Sequence, residues 1–131
     1  GPAEFFYDDG TTRGTTTYKQ GRIIGPCRSY YTNGVLGHTC ERHTNGGLDG
    51  MVMSFHENGR IKFKAEWKNG RLQKILRYKD EQGNDLPIGT FQDGNGQWIQ
   101  YKDGLPFGIF VYRKGKLVQI MEDVNSSTPK R

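Results

Sequence analysis

The chain is 131 residues long, about one domain, with 33% hydrophobic residues and 19 glycines, which points to a thin core one sheet wide and excludes a bulky globular interior. No run reaches the roughly 18 apolar residues that a membrane-spanning helix needs. Nineteen Lys and Arg against 14 Asp and Glu leave a net charge of +5, a scattered excess that favours acidic partners over basic ones.

At the start, Gly1-Pro2 reads as the scar of a cleaved tag and no signal segment is visible through Glu4. Cytoplasm and periplasm or secretion therefore all stay open. From Tyr7 onward one signature recurs: a ring, two polar residues, Gly, and often an aliphatic residue two places later. It is written as Tyr7-Asp-Asp-Gly10, Tyr18-Lys-Gln-Gly21, Tyr31-Thr-Asn-Gly34, Trp67-Lys-Asn-Gly70, Tyr101-Lys-Asp-Gly104 and Tyr112-Arg-Lys-Gly115. His43-Thr-Asn-Gly46 and His56-Glu-Asn-Gly59 put imidazole in the ring position. The glycines Gly10, Gly21, Gly34, Gly46, Gly59 and Gly70 are 11, 13, 12, 13 and 11 residues apart, so two steps make a unit of about 24 residues. Asn-Gly, Asp-Gly and Gln-Gly supply the positive φ angles that hairpin turns need.

The stretch from His56 to Gly70 shows the unit most clearly. Ile61, Phe63, Ala65 and Trp67 alternate with Lys62, Lys64, Glu66 and Lys68, a period of two that marks a half-buried strand. A two-residue loop at Asn69-Gly70 sets Trp67 opposite Leu72 and Phe63 opposite Leu76. At Asn58-Gly59 a three-residue loop with a left-handed Gly bulge pairs the faces better, setting Phe55 against Ile61 and Met53 against Phe63.

Steps this short leave no room for a crossover helix, so neighbouring strands are antiparallel. The expected fold is all-β: an elongated single-layer meander of roughly eleven short strands over residues 1–121, each unit burying its face against its neighbours. Pro87 and Pro106 follow turns, where a missing donor is tolerable. Two segments depart from the pattern, Glu81 to Asp85 and Asp93-Gly-Asn-Gly96, and leave the register between Asp80 and Gly96 open. From Glu122 the signals stop; nothing in the residues supports a short turn at Met121 to Val124, and 122–131 reads as a disordered tail.

Tyr31 to Gly37, His43 to Gly50, His56 to Phe63, Trp67 to Leu72 and Tyr101 to Gly108 carry a Tyr-x-x-Asn-Gly half alternating with an x-Asn-Gly-x-x-x-Gly half. This resembles the MORN repeat, above all the MORN-variant repeat of bacterial YwqK-type antitoxin proteins, from about Tyr7 to Leu117. The resemblance implies a chain of hairpins and a non-catalytic protein-binding role, toxin-neutralising or immunity-like. Eukaryotic MORN proteins would instead imply a membrane-apposed or protein-binding scaffold.

The residues themselves offer little chemistry. His38, His43 and His56 lack the Cys or carboxylate company of a zinc site, and two of them occupy the ring slot. Asp93-Gly-Asn-Gly-Gln begins like a calcium loop but has Trp98 where the sixth-position Gly belongs and Gly104 where the twelfth-position Glu belongs. No hydrolase, phosphate-loop or zincin motif occurs, so no enzyme activity, metal or cofactor is expected. Asn125-Ser-Ser127 matches a glycosylation acceptor, a pattern common by chance.

Cys27 and Cys40 lie six residues after Gly21 and Gly34. A two-residue loop at Asn33-Gly34 places them face to face, and a bulged one leaves them diagonal. The alternatives are a disulfide and two small buried thiols. Two binding surfaces follow. One is a protein-binding patch of exposed rings, Trp98, Tyr101 and Tyr112, with interleaved Lys and Arg. The other is a basic stripe of Arg60, Lys62, Lys64, Lys68, Arg71 and Lys74 for anionic lipid or nucleic acid.

Overall fold

A computed structural model describes residues 1–44 and 47–122. The tail beyond Glu122 with its Asn125 acceptor pattern, the turn at Asn45-Gly46 and the side chain of His43 lie outside the described residues.

The fold is all-β, with β1 (Pro2–Phe6), β2 (Thr12–Lys19), β3 (Arg22–Ile23), β4 (Cys27–Tyr30), β5 (Leu36–Thr44), β6 (Gly47–Phe55), β7 (Ile61–Lys68), β8 (Arg71–Tyr78), β9 (Gly96–Lys102), β10 (Leu105–Arg113) and β11 (Lys116–Glu122). Every pairing is antiparallel. Met121 and Glu122 belong to β11, so no turn begins at Met121. One sheet runs β1-β2-β4-β5-β6-β7-β8 with β3 beside β2, and a three-stranded sheet runs β11-β10-β9.

Two kinds of turn occur, alternating from Gly59 to Gly94, after which Asp103-Gly104 (φ 53 and 78) and Lys114-Gly115 (φ 53 and 79) are both tight. Tight turns place two residues in the left-handed region, as at Gln20-Gly21 (φ 52 and 77) and Asn69-Gly70 (φ 50 and 81). The wider turns at Gly10, Gly34 and Gly59 share one hydrogen-bond pattern. In each the Gly N–H donates to the carbonyl of the ring residue three before it, and the N–H after the Gly donates to the side chain of Asp9, Asn33 or Asn58. The hairpins around these turns each carry one unpaired residue, Arg13, Gly37 or Lys62, at a register shift.

These bulges decide the registers. Phe55 pairs with Ile61 and Trp67 with Leu72, as the turn chemistry requires. Phe63 does not face Met53: Lys62 is the extra residue, which moves Phe63 opposite Ser54. Nor does it face Leu76, because β8 carries two extra residues, Gln73 and Leu76, and Phe63 pairs with Tyr78.

The two segments expected to break the pattern keep its phase. Asp80-Glu-Gln-Gly83 is a fourth wide turn, in which Gly83 N–H donates to the Asp80 carbonyl and the Asp80 carboxylate, in place of a ring, accepts from the N–H groups of Gln82 and Asn84. Asp93-Gly94 (φ 48 and 88) is a tight turn. Between them, residues 86–91 connect the two sheets: Leu86 N–H donates to the Tyr78 carbonyl, Phe91 N–H to Gln97, and Ile99 N–H to Ile88. Pro87 lacks a donor, and Gly89 sits at φ 113, where an added Cβ would lie 2.5 Å from the Gln97 carbonyl. The meander therefore continues through a strip too irregular to form a regular strand.

Successive units are bound together by their rings. The Tyr7 hydroxyl donates to the Tyr30 carbonyl, the Tyr31 hydroxyl to Phe55 and the His56 Nε2–H to Lys79 at 2.9 Å. Each accepting carbonyl belongs to the residue just before the next turn's first residue, Tyr31, His56 or Asp80. Asn33 and Asn58 add a parallel set, donating to the carbonyls of Glu57 and Glu81. The Tyr31 ring lies flat on Gly37, where a Cβ would approach it to 3.1 Å.

The core gathers where the two sheets meet. Ala65, Leu72, Tyr78, Trp98 and Tyr112 are buried there, with Phe63 packed against them. Trp98 meets Phe63 and Tyr78 edge-on at centroid distances of 5.2 and 5.6 Å. Tyr31→Phe removes one link between units and leaves a half-buried carbonyl unsatisfied, so urea unfolding is expected to show a loss of about 1 kcal/mol; an unchanged midpoint would show that the link carries no stability.

Candidate binding face

Strand β7 is continuous from Phe63 to Lys68, so its alternation assigns the faces of the β7–β8 hairpin. Ala65 is fully buried, which puts Phe63, Ala65 and Trp67 inward and Lys64, Glu66 and Lys68 outward. Their direct partners on β8 are Arg77, Lys74 and Arg71. The outward face of this one hairpin therefore carries Lys64, Lys68, Arg71, Lys74 and Arg77 around a single acid, Glu66.

Four of the six residues of the expected basic stripe, Lys64, Lys68, Arg71 and Lys74, lie together here. Lys62 is the neighbouring bulge residue. Arg60 is drawn away, its Nη1 donating to the Gln82 carbonyl of the fourth wide turn. Arg71 is anchored more loosely, with Nη1 3.3 Å from the Lys114 carbonyl. Arg77 was missed: only the two bulges in β8 bring it opposite Lys64, and neither Gln73 nor Leu76 is a residue that announces a bulge. The row through Lys64 runs on across the sheet through Met53, Thr39 and Arg28, which adds another cation and a thioether.

The expected patch of exposed rings does not exist. Trp98 and Tyr112 are buried in the core, because residues 86–91 fold the last sheet back against β7 and β8. Tyr101 is half-buried, and its hydroxyl donates to the Pro87 carbonyl at 2.9 Å. Burial, reinforced by Tyr101, pushes the Tyr78 phenol well above its ordinary range, so it stays a neutral donor to the Ile99 carbonyl at 2.6 Å.

Cys27 and Cys40 form a disulfide between β4 and β5 with a Cα–Cα distance of 5.1 Å. The turn at Asn33-Gly34 is the wide kind, yet the cysteines are directly opposite, because the extra residue Gly37 restores the register that the wide turn displaces. His38 pairs with Ser29 on one side and Ser54 on the other, in a groove shared with Tyr7, Arg13 and Tyr31. Desolvation lowers its pKa. Among the described residues no three His, Cys, Asp or Glu side chains cluster closely enough to hold a metal ion, and no helix is long and apolar enough to cross a membrane.

The geometry defines a class: an antiparallel β-hairpin repeat array whose units are joined ring to carbonyl. Comparison with family models agrees, residues 48–69 matching the family described as MORN repeat variant, so the chain carries a MORN-type repeat. No curated protein and no solved structure matches the chain.

Two outcomes follow from this geometry. Thiol titration of the unfolded, unreduced protein is expected to find no free Cys27 or Cys40; reduction, which opens a loop of sequence separation 13, is expected to cost about 3 kcal/mol in denaturant unfolding. For His38, a folded pKa below the unfolded 6.5 means the unfolded state binds more protons in the window beneath 6.5. Stability should be level above that pH and fall as the pH drops through it. His38→Gln is expected to flatten that slope, measured as unfolding midpoints from pH 7.5 to 5.

Proposed function

We propose that this chain is a non-catalytic protein-binding repeat module that engages an acidic partner protein through the outward face of the β7–β8 hairpin. The observation that carries the reading is the set of three direct cross-strand pairs there, five cations and one acid. Like charges placed directly opposite one another repel. Lys64 against Arg77 and Lys68 against Arg71 are arrangements that a sheet gains nothing from by itself and that an incoming anionic surface relieves. A partner protein is favoured over lipid or nucleic acid because Glu66 sits among the cations, and Met51 and Met53 on the adjoining strand offer adaptable apolar contact. The antitoxin-like repeats that the sequence resembles make toxin neutralisation the finer form of this reading.

Crosslinking capture from extract of the source cells, with wild type and Lys64→Glu/Arg77→Glu side by side, tests it. A protein retained by the wild type and depleted about tenfold or more by the double reversal is the expected result. Salt-sensitive retention of anionic vesicles or oligonucleotides, with no protein lost on reversal, would replace the reading with a lipid or nucleic-acid surface.

A further inference from the structure

The four described wide turns share one layout. Six residues after the first turn residue stands Arg13, Gly37 or Lys62 in the first three, the unpaired residue of its hairpin, and Leu86 in the fourth. In the first three a ring starts the turn and spans from its own hairpin to a carbonyl 23 or 24 residues further on. Tyr31 shows where such a ring lies, against Gly37. The fourth turn starts with Asp80, which supplies no ring.

A cavity of about 190 Å³ opens at that place. It reaches from Asp80 and Leu86 to Asp103 and Gly104, which stand 23 and 24 residues after Asp80, the offset of the three ring links. His56, Tyr78 and Tyr101 line it together with Leu86. The two hydroxyls and His56 Nε2 are already bonded, to the carbonyls of Ile99, Pro87 and Lys79, so what these rings offer a guest is apolar surface. The acids of the lining, Asp80, Glu81 and Asp103, are matched in number by Lys62, Lys79 and Lys102, which favours a neutral guest over an ion. Carboxylate oxygens accept and cannot donate, so the guest that suits them carries a donor. Volume narrows the choice further: drug-sized ligands begin at roughly 300 Å³, and this cavity has room for about one side chain.

We infer that the cavity is a docking slot for a tyrosine side chain of a partner polypeptide, whose ring takes the place that Tyr31 and His56 take in their own units and whose hydroxyl donates as their polar atoms do. Aromatic anchors seated in small pockets are where protein interfaces concentrate their energy. None of the basic-face residues on β7 and β8 lines the slot, so it stands or falls apart from that surface.

Chemical-shift titration of the ¹⁵N-labelled full chain tests the inference, with the blocked tripeptides Gly-Tyr-Gly and Gly-Phe-Gly and with p-cresol as probes. The tyrosine peptide is expected to give saturable shifts at the amides of Leu86, Tyr101 and Gly104 with a Kd of about 1 mM. The phenylalanine peptide should bind about fivefold more weakly for want of the donor. In Asp80→Tyr/Gln82→Asn the fourth turn reads as Tyr31-Thr-Asn-Gly34 does and brings its own ring. This variant, its fold checked by circular dichroism, is expected to bind the tyrosine peptide at least about tenfold more weakly. The comparison of the two peptides on the wild type decides the matter independently of that variant's folding. No saturable shift with the tyrosine peptide, equal binding of the two peptides, or undiminished binding to the folded variant would overturn the inference. Binding of p-cresol without the peptide would overturn it as well, in favour of a free phenol.

Discussion

The structure depends on a bond that no unit makes with itself. A ring at the start of each wide turn reaches forward and donates to the carbonyl just before the next wide turn, from Tyr7 to Tyr30, Tyr31 to Phe55 and His56 to Lys79. Strand pairing alone would leave a flexible ribbon with little buried area, since only about a third of the residues are hydrophobic. The ring adds three things in one side chain: apolar area laid across its own turn, a hydroxyl or imidazole donor, and a fixed distance to the next unit. Asn in the third turn position, which closes its own turn through its oxygen, uses its nitrogen for the same forward reach. Asp9 closes its turn equally well but has no donor to send forward.

The two turn types are complementary parts of this arrangement. Up to Gly94 the described tight turns line one side of the array and the wide turns the other, and the ring-to-carbonyl links lie on the wide side; Asp103-Gly104, beside Asp80 and Glu81, is a tight turn on that same side. On the tight side, backbone-to-backbone contacts stand beside side-chain ones such as Asn69 N–H to Asp49 Oδ1 and Lys114 N–H to Asn95 Oδ1. Gly70 N–H donates to the Leu48 carbonyl, Gly115 N–H to Gly94, and Leu72 N–H to Gly115, so glycine is needed there for approach as well as for φ. A Cβ on Gly115 would lie 2.5 Å from that of Arg71.

Much of this could be read from the residues. The period of two in β7, the 24-residue unit and the contrast between the turns at Gly59 and Gly70 follow from local chemistry, and so do the pairs Phe55–Ile61 and Trp67–Leu72. What stayed hidden depends on accidents of the ladder or on tertiary contact. Bulges at Gln73 and Leu76 have no glycine to mark them, and they decide that Arg77 joins the basic face. Asp80 in a ring position disguised the fourth turn as an irregular loop. Trp98 and Tyr112 looked exposed because nothing local tells a reader that Pro87 and Gly89 fold the last sheet onto β7 and β8.

Asp80 has a meaning beyond its own turn. It is the first residue in that position unable to act as a donor from its side chain when ionised, and its carboxylate is consumed by the N–H groups of Gln82 and Asn84, which hold its pKa below the ordinary value. The chain of forward bonds therefore stops at a defined place. Upstream of it, units are alike in kind: a whole unit inserted or lost there would keep every inward face inward and alter the number of forward ring bonds by one. Such an array sets its length by where its terminator falls, and the hairpins before it can multiply without redesign of the end.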